Sequence, residues 1–182
     1  HSRLLVVICL LFTVLSAFAS SQALRPGDQL QINLPGETEF NTVFPINSQG
    51  QVVLPEVGPV MIAGQSIDQA STTIRTALSR VYRDLAGLSV TLKERRLMVT
   101  VLGFVSKPGQ VVLPPNANVQ MAITAAGGLR VGADMSRLQL RHDGAVKTFD
   151  YKRYLDTGNL NLLPALSSTD VLFVPSSERL GN

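Results

Sequence analysis

Two histidines, one cysteine and thirteen side-chain carboxylates are all that this 182-residue chain offers for metal ligation, nucleophilic attack or proton transfer. Zinc and iron sites need several His, Cys or carboxylate ligands converging on one point. His142 has no second histidine near it in the sequence, and Cys9 has no partner thiol. A Ser-His-Asp relay is best recognised by a serine on a G-x-S-x-G elbow, and no serine here has that frame. Glycoside cleavage needs two opposed carboxyl groups. The nearest approach is Glu37 with Glu39, or Glu56, all beside turn residues where solvation is expected. Gly127-Gly128 opens no G-x-G-x-x-G, and no P-loop is present. The expectation is a protein that is not an enzyme, with no catalytic residue, cofactor or metal, and with His142 exposed in a turn.

The elements that carry these residues follow from the chain's periodicity. Arg25-Pro26-Gly27-Asp28 is a turn, because Pro fixes φ and Gly reaches angles closed to other residues. Residues 29–34 alternate polar and apolar, the pattern of a half-buried strand. Residues 42–46 and 51–54 flank Asn47-Ser48-Gln49-Gly50 and suggest the two arms of a hairpin. Pro55 and Gly58-Pro59 then interrupt the chain before a short buried strand at 60–62. Ser66 with Gln69 three residues on makes a capping box. Ile67, Ala70, Ile74, Ala77, Leu78, Val81 and Tyr82 fall on one face behind it, predicting an amphipathic helix of about five turns. Residues 88–92 alternate again and close a first unit.

A second unit opens at 97–105, apolar and β-branched apart from Gly103, which predicts a central strand. Lys107-Pro108-Gly109 turns into a strand at 110–113, Asn118 caps a short helix over 119–126, and Gly127-Gly128 stops it. Residues 138–141 and 146–149 form a hairpin around His142-Asp143-Gly144-Ala145, since Asp-Gly favours that turn. One helical turn is expected over 151–155 and a last buried strand over 171–174.

Composition narrows the function classes. The hydrophobic fraction is 45% and the charged fraction 16%, so a folded core is expected. The net charge of +3 comes from scattered residues, with only Arg95-Arg96 and Lys152-Arg153 adjacent, unlike the basic face of a nucleic-acid binder. Arg3, an apolar run over 4–15 and Ser16-Ala17-Phe18-Ala19 have the layout of a secretory signal peptide, residues 1–19. Cleavage after Ala19 would remove Arg3 and no acid; 15 basic against 13 acidic residues leave +2. It would also remove Cys9, and with it any thiol chemistry in the oxidising compartment beyond. Tight sugar stacking is disfavoured, with no Trp, three Tyr and seven Phe, of which Phe12 and Phe18 leave with the signal.

One phrase is written twice: Gly50-Gln51-Val52-Val53-Leu54-Pro55 returns as Gly109-Gln110-Val111-Val112-Leu113-Pro114. Each copy precedes a helical pattern, which suggests an α+β protein of two small tandem units. Around these copies lie Leu24 to Leu30 with Pro26-Gly27-Asp28, Asn47-Ser48-Gln49-Gly50 running into Pro55, Gly58-Pro59-Val60 and Ala63-Gly64-Gln65-Ser66. This run resembles the polysaccharide export domain of the Wza-like outer-membrane polysaccharide export proteins. Val101-Leu102-Gly103-Phe104-Val105, Lys107-Pro108-Gly109, Ala125-Ala126-Gly127-Gly128-Leu129 and Asp170-Val171-Leu172-Phe173-Val174-Pro175 are similar to the soluble-ligand-binding β-grasp (SLBB) domain that follows it in that family.

The resemblance implies an export domain over 24–95, a β-grasp-like domain over 96–176 and a tail over 177–182. It implies a component of capsule or exopolysaccharide export, in the periplasm against the outer membrane and within a homo-oligomeric ring. Its partners would be an inner-membrane co-polymerase, a separate outer-membrane barrel and the polysaccharide in transit. Pro26, Gly27, Asp28, Gly50, Pro55, Gly103, Pro108, Gly109, Gly127, Gly128 and Asp170 would be structural, and the neighbourhood of Asp28 would face the periplasmic partner. Three departures stand out. There is no lipid-acceptor cysteine, Ser168-Thr169-Asp170 replaces a second Pro-Gly-Asp, and only 176–182 follow the last strand, so the chain matches a short form without the membrane-spanning helix, or a fragment. A glycan- or ligand-binding module and a non-transport envelope adaptor are the alternatives.

Overall fold

The computed structural model describes residues 23–178; the expected signal peptide with Cys9, and the end of the tail from 179, lie outside them. Two hydrophobic cores divide the chain. One draws on residues between Leu24 and Leu92, the other on residues between Leu97 and Val174.

In the first unit β1 (Gln29–Asn33) is the middle of a three-stranded antiparallel sheet, between β2 (Val43–Pro45) and β5 (Ser89–Glu94). β3 (Gln51–Leu54) and β4 (Gly58–Met61) form a separate two-stranded ribbon. The hairpin expected between 42–46 and 51–54 does not form. Asn47 Oδ1 accepts hydrogen bonds from the Gln49 and Gln51 amides at 3.1 and 2.9 Å. This side-chain turn sends the chain out of the sheet, and β2 spends its ladder on β1. β4 is at best half-buried, and the fully buried Ile62 lies just past its end.

The helix α1 (Ile67–Leu78) starts at Ser66 with both halves of the capping box made: Gln69 N–H donates to Ser66 Oγ and Ser66 N–H to Gln69 Oε1. It presents Ala70, Ile74 and Leu78 to the core and ends after 12 residues, little over three turns rather than five. Ser79 Oγ donates to Thr76 O at 2.6 Å and closes the helix there. Tyr82 still serves the core from the following turn, its ring edge-on to Phe40 at 5.7 Å.

The second unit is a five-stranded mixed sheet in the order β7-β6-β10-β8-β9. Its strands are β6 (Leu97–Gly103), β7 (Gly109–Leu113), β8 (Leu138–His142), β9 (Ala145–Phe149) and β10 (Val171–Val174). The first and last, β6 and β10, lie side by side and parallel, the mark of a β-grasp arrangement. The helix α2 (Val119–Ala125) starts at Asn118, whose Oδ1 accepts from Met121 N–H. The helix α3 (Tyr151–Thr157) runs seven residues where one turn was expected, because Asp150 caps Arg153 N–H at its start. Val99, Val101, Leu172 and Val174 meet Val119, Ile123, Tyr151 and Tyr154 in the core. The opposite sheet face carries Thr100, Leu102, Val112, Val171 and Phe173 and stays partly exposed.

The repeated phrase does not mark equivalent places. Its first copy is β3, paired with the strand that follows it; its second is β7, an edge strand paired with the strand that precedes it.

Candidate functional site

The two units share a feature that residue identity hides. Arg25 to Asp28 and Ser167 to Asp170 are turns of the same build. In each, the aspartate amide donates to the first residue's carbonyl, at 3.1 and 3.2 Å. In each, the aspartate carboxylate accepts the first residue's amide, at 2.9 and 2.8 Å. The third residue has positive φ in both, Gly27 at 94° and Thr169 at 70°. Each turn launches a strand with two neighbours, β1 and β10. Asp28 and Asp170 are also the only buried charged side chains among the described residues, 2% and 1% exposed.

The two turns meet. Ser168 Oγ donates to Pro26 O at 2.8 Å, across 142 positions of sequence. Thr169 N–H donates to Met98 O at 2.7 Å. Gly27 packs so closely on the start of β6 that a Cβ there would stand 2.5 Å from Arg96 O. This is the junction between the units, and glycine is the one residue with both the backbone angle and the clearance it requires.

Burial pushes the Asp28 carboxyl above the usual carboxylate range, against the opposing pull of the Arg25 amide and the Arg95 and Arg25 guanidinium charges. A side chain so enclosed acts as the cap of its turn. Asp170 has a different counter-charge. His142 Nδ1 lies 2.5 Å from Asp170 Oδ1, and its Nε2 lies 3.2 Å from Asp143 Oδ2. The sequence places His142 as an exposed turn residue. It is exposed as expected, its side chain 50% so, but it is the last residue of β8 and has a partner. The antiparallel register Val171↔Arg141 sets Asp170 opposite His142, which is why the pair forms. The hydrogen bond from Asp170, then the charges of Asp170 and Asp143, hold the imidazole above its ordinary value of 6.5. The pair has the geometry of a His-Asp dyad, with the Asp143 carboxylate against the second ring nitrogen.

The other residues singled out by sequence are dispersed. Gly50 closes the Asn47 turn, and its carbonyl accepts from Ile62 and Ala63 N–H. Pro55 follows β3, and the exposed Pro108 leads into Gly109 at the start of β7. Gly103 ends β6 where a Cβ would stand 2.1 Å from Val174 O. Gly127 and Gly128 stop α2, donating to Thr124 and Ile123 carbonyls. Glu39, Glu56 and Glu37 lie around Tyr82, whose hydroxyl is pushed up by burial first and then by their charges. No group of three or more His, Cys, Asp or Glu with metal-holding geometry occurs among the described residues. An open cleft of about 410 Å³ lies between β4 and α1, lined by Pro59, Val60, Thr72, Thr73, Thr76 and Arg80. Its three threonine hydroxyls donate to helix carbonyls one turn back, which leaves the Arg80 guanidinium as its charged group.

Comparison with known proteins bears on both units. The family described as polysaccharide biosynthesis/export protein matches residues 17–93, and the SLBB domain matches 98–150. Over 93 residues the chain is 33% identical to the polysialic acid transport protein KpsD of Escherichia coli, and 32% identical to a second E. coli protein of that name. The matched stretch is 50% of this chain and 17% of each relative, so the chain spans a minor part of the curated proteins it matches. The chain therefore matches the polysaccharide biosynthesis/export protein model over its first unit and the SLBB domain model over much of its second.

Proposed function

We propose that this chain is a non-catalytic component of a capsule or exopolysaccharide export machine, acting in the periplasm against the outer membrane as part of an oligomeric conduit. The observation that carries the reading is the tandem of an export-family domain and an SLBB domain, matched in that order. The similarity to polysialic acid transport proteins supports the same role. We place the domain limits at 24–95 and 96–176, at the break between the two cores. In this reading copies of the chain form a ring, an inner-membrane co-polymerase engages it from below, and a separate outer-membrane barrel completes the path.

The polymer is moved past, not processed. The cleft beside α1 has its hydroxyls engaged by the helix, and the polar groups at the junction are paired with one another. Weak, interchangeable contacts suit a chain in transit, where strong stacking sites would slow it.

The test is polysaccharide location in a strain deleted for the gene. Loss of surface polymer with precursors or polymer retained in the periplasm, restored by the gene, is the expected result. Unchanged surface polymer in a strain without a paralogue would overturn the export role.

A further inference from the structure

We propose that His142 is a proton-operated clasp on the junction between the two units. Asp170 is the hub. One of its oxygens takes His142 Nδ1 from the end of β8, and the other takes the Ser167 amide within its own turn. That turn carries Ser168, whose hydroxyl reaches Pro26 of the first unit, and Thr169, whose amide holds Met98 at the start of the second sheet. The protonation of one imidazole is thus one residue contact removed from the bond that joins the units.

The charged groups facing the ring are Asp170, from the turn before β10, and Asp143, from the β8–β9 turn. Arg141, its neighbour in β8, points to the other face and lies over the Phe173 ring at 5.0 Å. Both ring nitrogens face carboxylates, and only the imidazolium can donate to both. When the proton leaves, Asp143, at 87% exposed, can turn to water. Asp170, at 2%, cannot, and is left with a neutral partner in a buried site. The matching turn of the first unit differs in its neighbours: the charges near Asp28 are the guanidinium groups of Arg95 and Arg25, where Asp170 has an imidazole.

The sign follows from the raised value in the folded state. The added stability is fully present below the ordinary value of 6.5 and is lost as pH rises through the folded midpoint. In acid the turn is held and the junction is closed; in mild alkali it opens more often.

The experiment is nuclear magnetic resonance on the full chain, following the His142 ring and the amides of Ser167, Thr169 and Asp170. His142 should titrate above 6.5. Exchange protection of the three amides, corrected for intrinsic rates, should fall across the same midpoint. The fall should be about tenfold for each pH unit separating the folded and unfolded midpoints. The Gly27 and Asp28 amide shifts should follow that midpoint in the wild type and lose it in Ser168→Ala, which leaves His142 unchanged. Asp170→Asn keeps an acceptor for Ser167 and should return His142 to its ordinary value with flat protection. His142→Gln should also give flat protection, and Asp170→Asn serves in its place if that variant does not fold. A His142 midpoint at or below 6.5, pH-independent protection in the wild type, or Gly27 and Asp28 shifts indifferent to His142 would each overturn the clasp.

Discussion

Among the described residues, Thr169 is the one β-branched residue with positive φ. A β-branched side chain at φ 70° is held there by its turn, while the equivalent first-unit position has Gly27. Such strain costs about 1–3 kcal/mol, and glycine adds back up to about 1 kcal/mol of unfolded-chain entropy. Thr169→Gly should therefore stabilise the protein by about 1 kcal/mol, read as a raised urea midpoint with an unchanged slope. Gly27→Ala should do the reverse and cost about 2–4 kcal/mol, since Arg96 O leaves no room for a Cβ and the angle is unfavourable as well. Equal stability of Gly27→Ala and wild type would mean that the junction does not pack as described. Through the family resemblance, sequence reading matched Ser168-Thr169-Asp170 to a second Pro-Gly-Asp turn, but it did not show that the two turns meet. Only the aspartate is common to Arg-Pro-Gly-Asp and Ser-Ser-Thr-Asp, and the likeness lies in hydrogen bonds and φ angles. The His142–Asp170 bond was hidden for a related reason. Its partners are 28 residues apart, and only strand register brings them together.

Local codes were easy to read at the level of elements, and pairings were not. The Ser66 capping box, the Asn118 cap and the Asp143-Gly144 hairpin are each written within a few residues, and all three form. Ser66→Ala should cost about 1 kcal/mol, seen as a lower melting temperature and faster exchange at the first turn of α1. The failed pairing of β2 with β3 shows the limit. Both strands have strand-like sequences, but the choice of partner is made by Asn47 Oδ1 binding two amides, and a turn-rich loop does not announce which sheet it leads into. The hexapeptide repeat misled in the same way. Identical residues satisfied one pairing with a following strand and another with a preceding one, because β-propensity specifies a surface and not a neighbour.

Two separate cores joined by a small polar junction should respond to damage separately. Leu172 is fully buried in the middle strand of the second sheet, and Leu172→Ala should cost that unit about 2–5 kcal/mol. Exchange protection should then fall throughout β6 to β10, and much less at buried first-unit positions such as Ile32 and Ile74. An equal loss in both units would show one cooperative molecule in place of two. The α+β class and the division into two units were legible because each unit's elements follow one another along the chain. The way the units touch was not, since it rests on Ser168 meeting Pro26 from the far end of the sequence. That distance also orders events in time. β10 is the central strand of the second sheet, yet it is the last to be made. During synthesis from the N-terminus, every strand of the first unit emerges before β6, whereas β6 and β8 must wait for 171–174 to supply the ladder between them. The first unit can thus mature as the second is still being delivered, with the junction sealed only at the end.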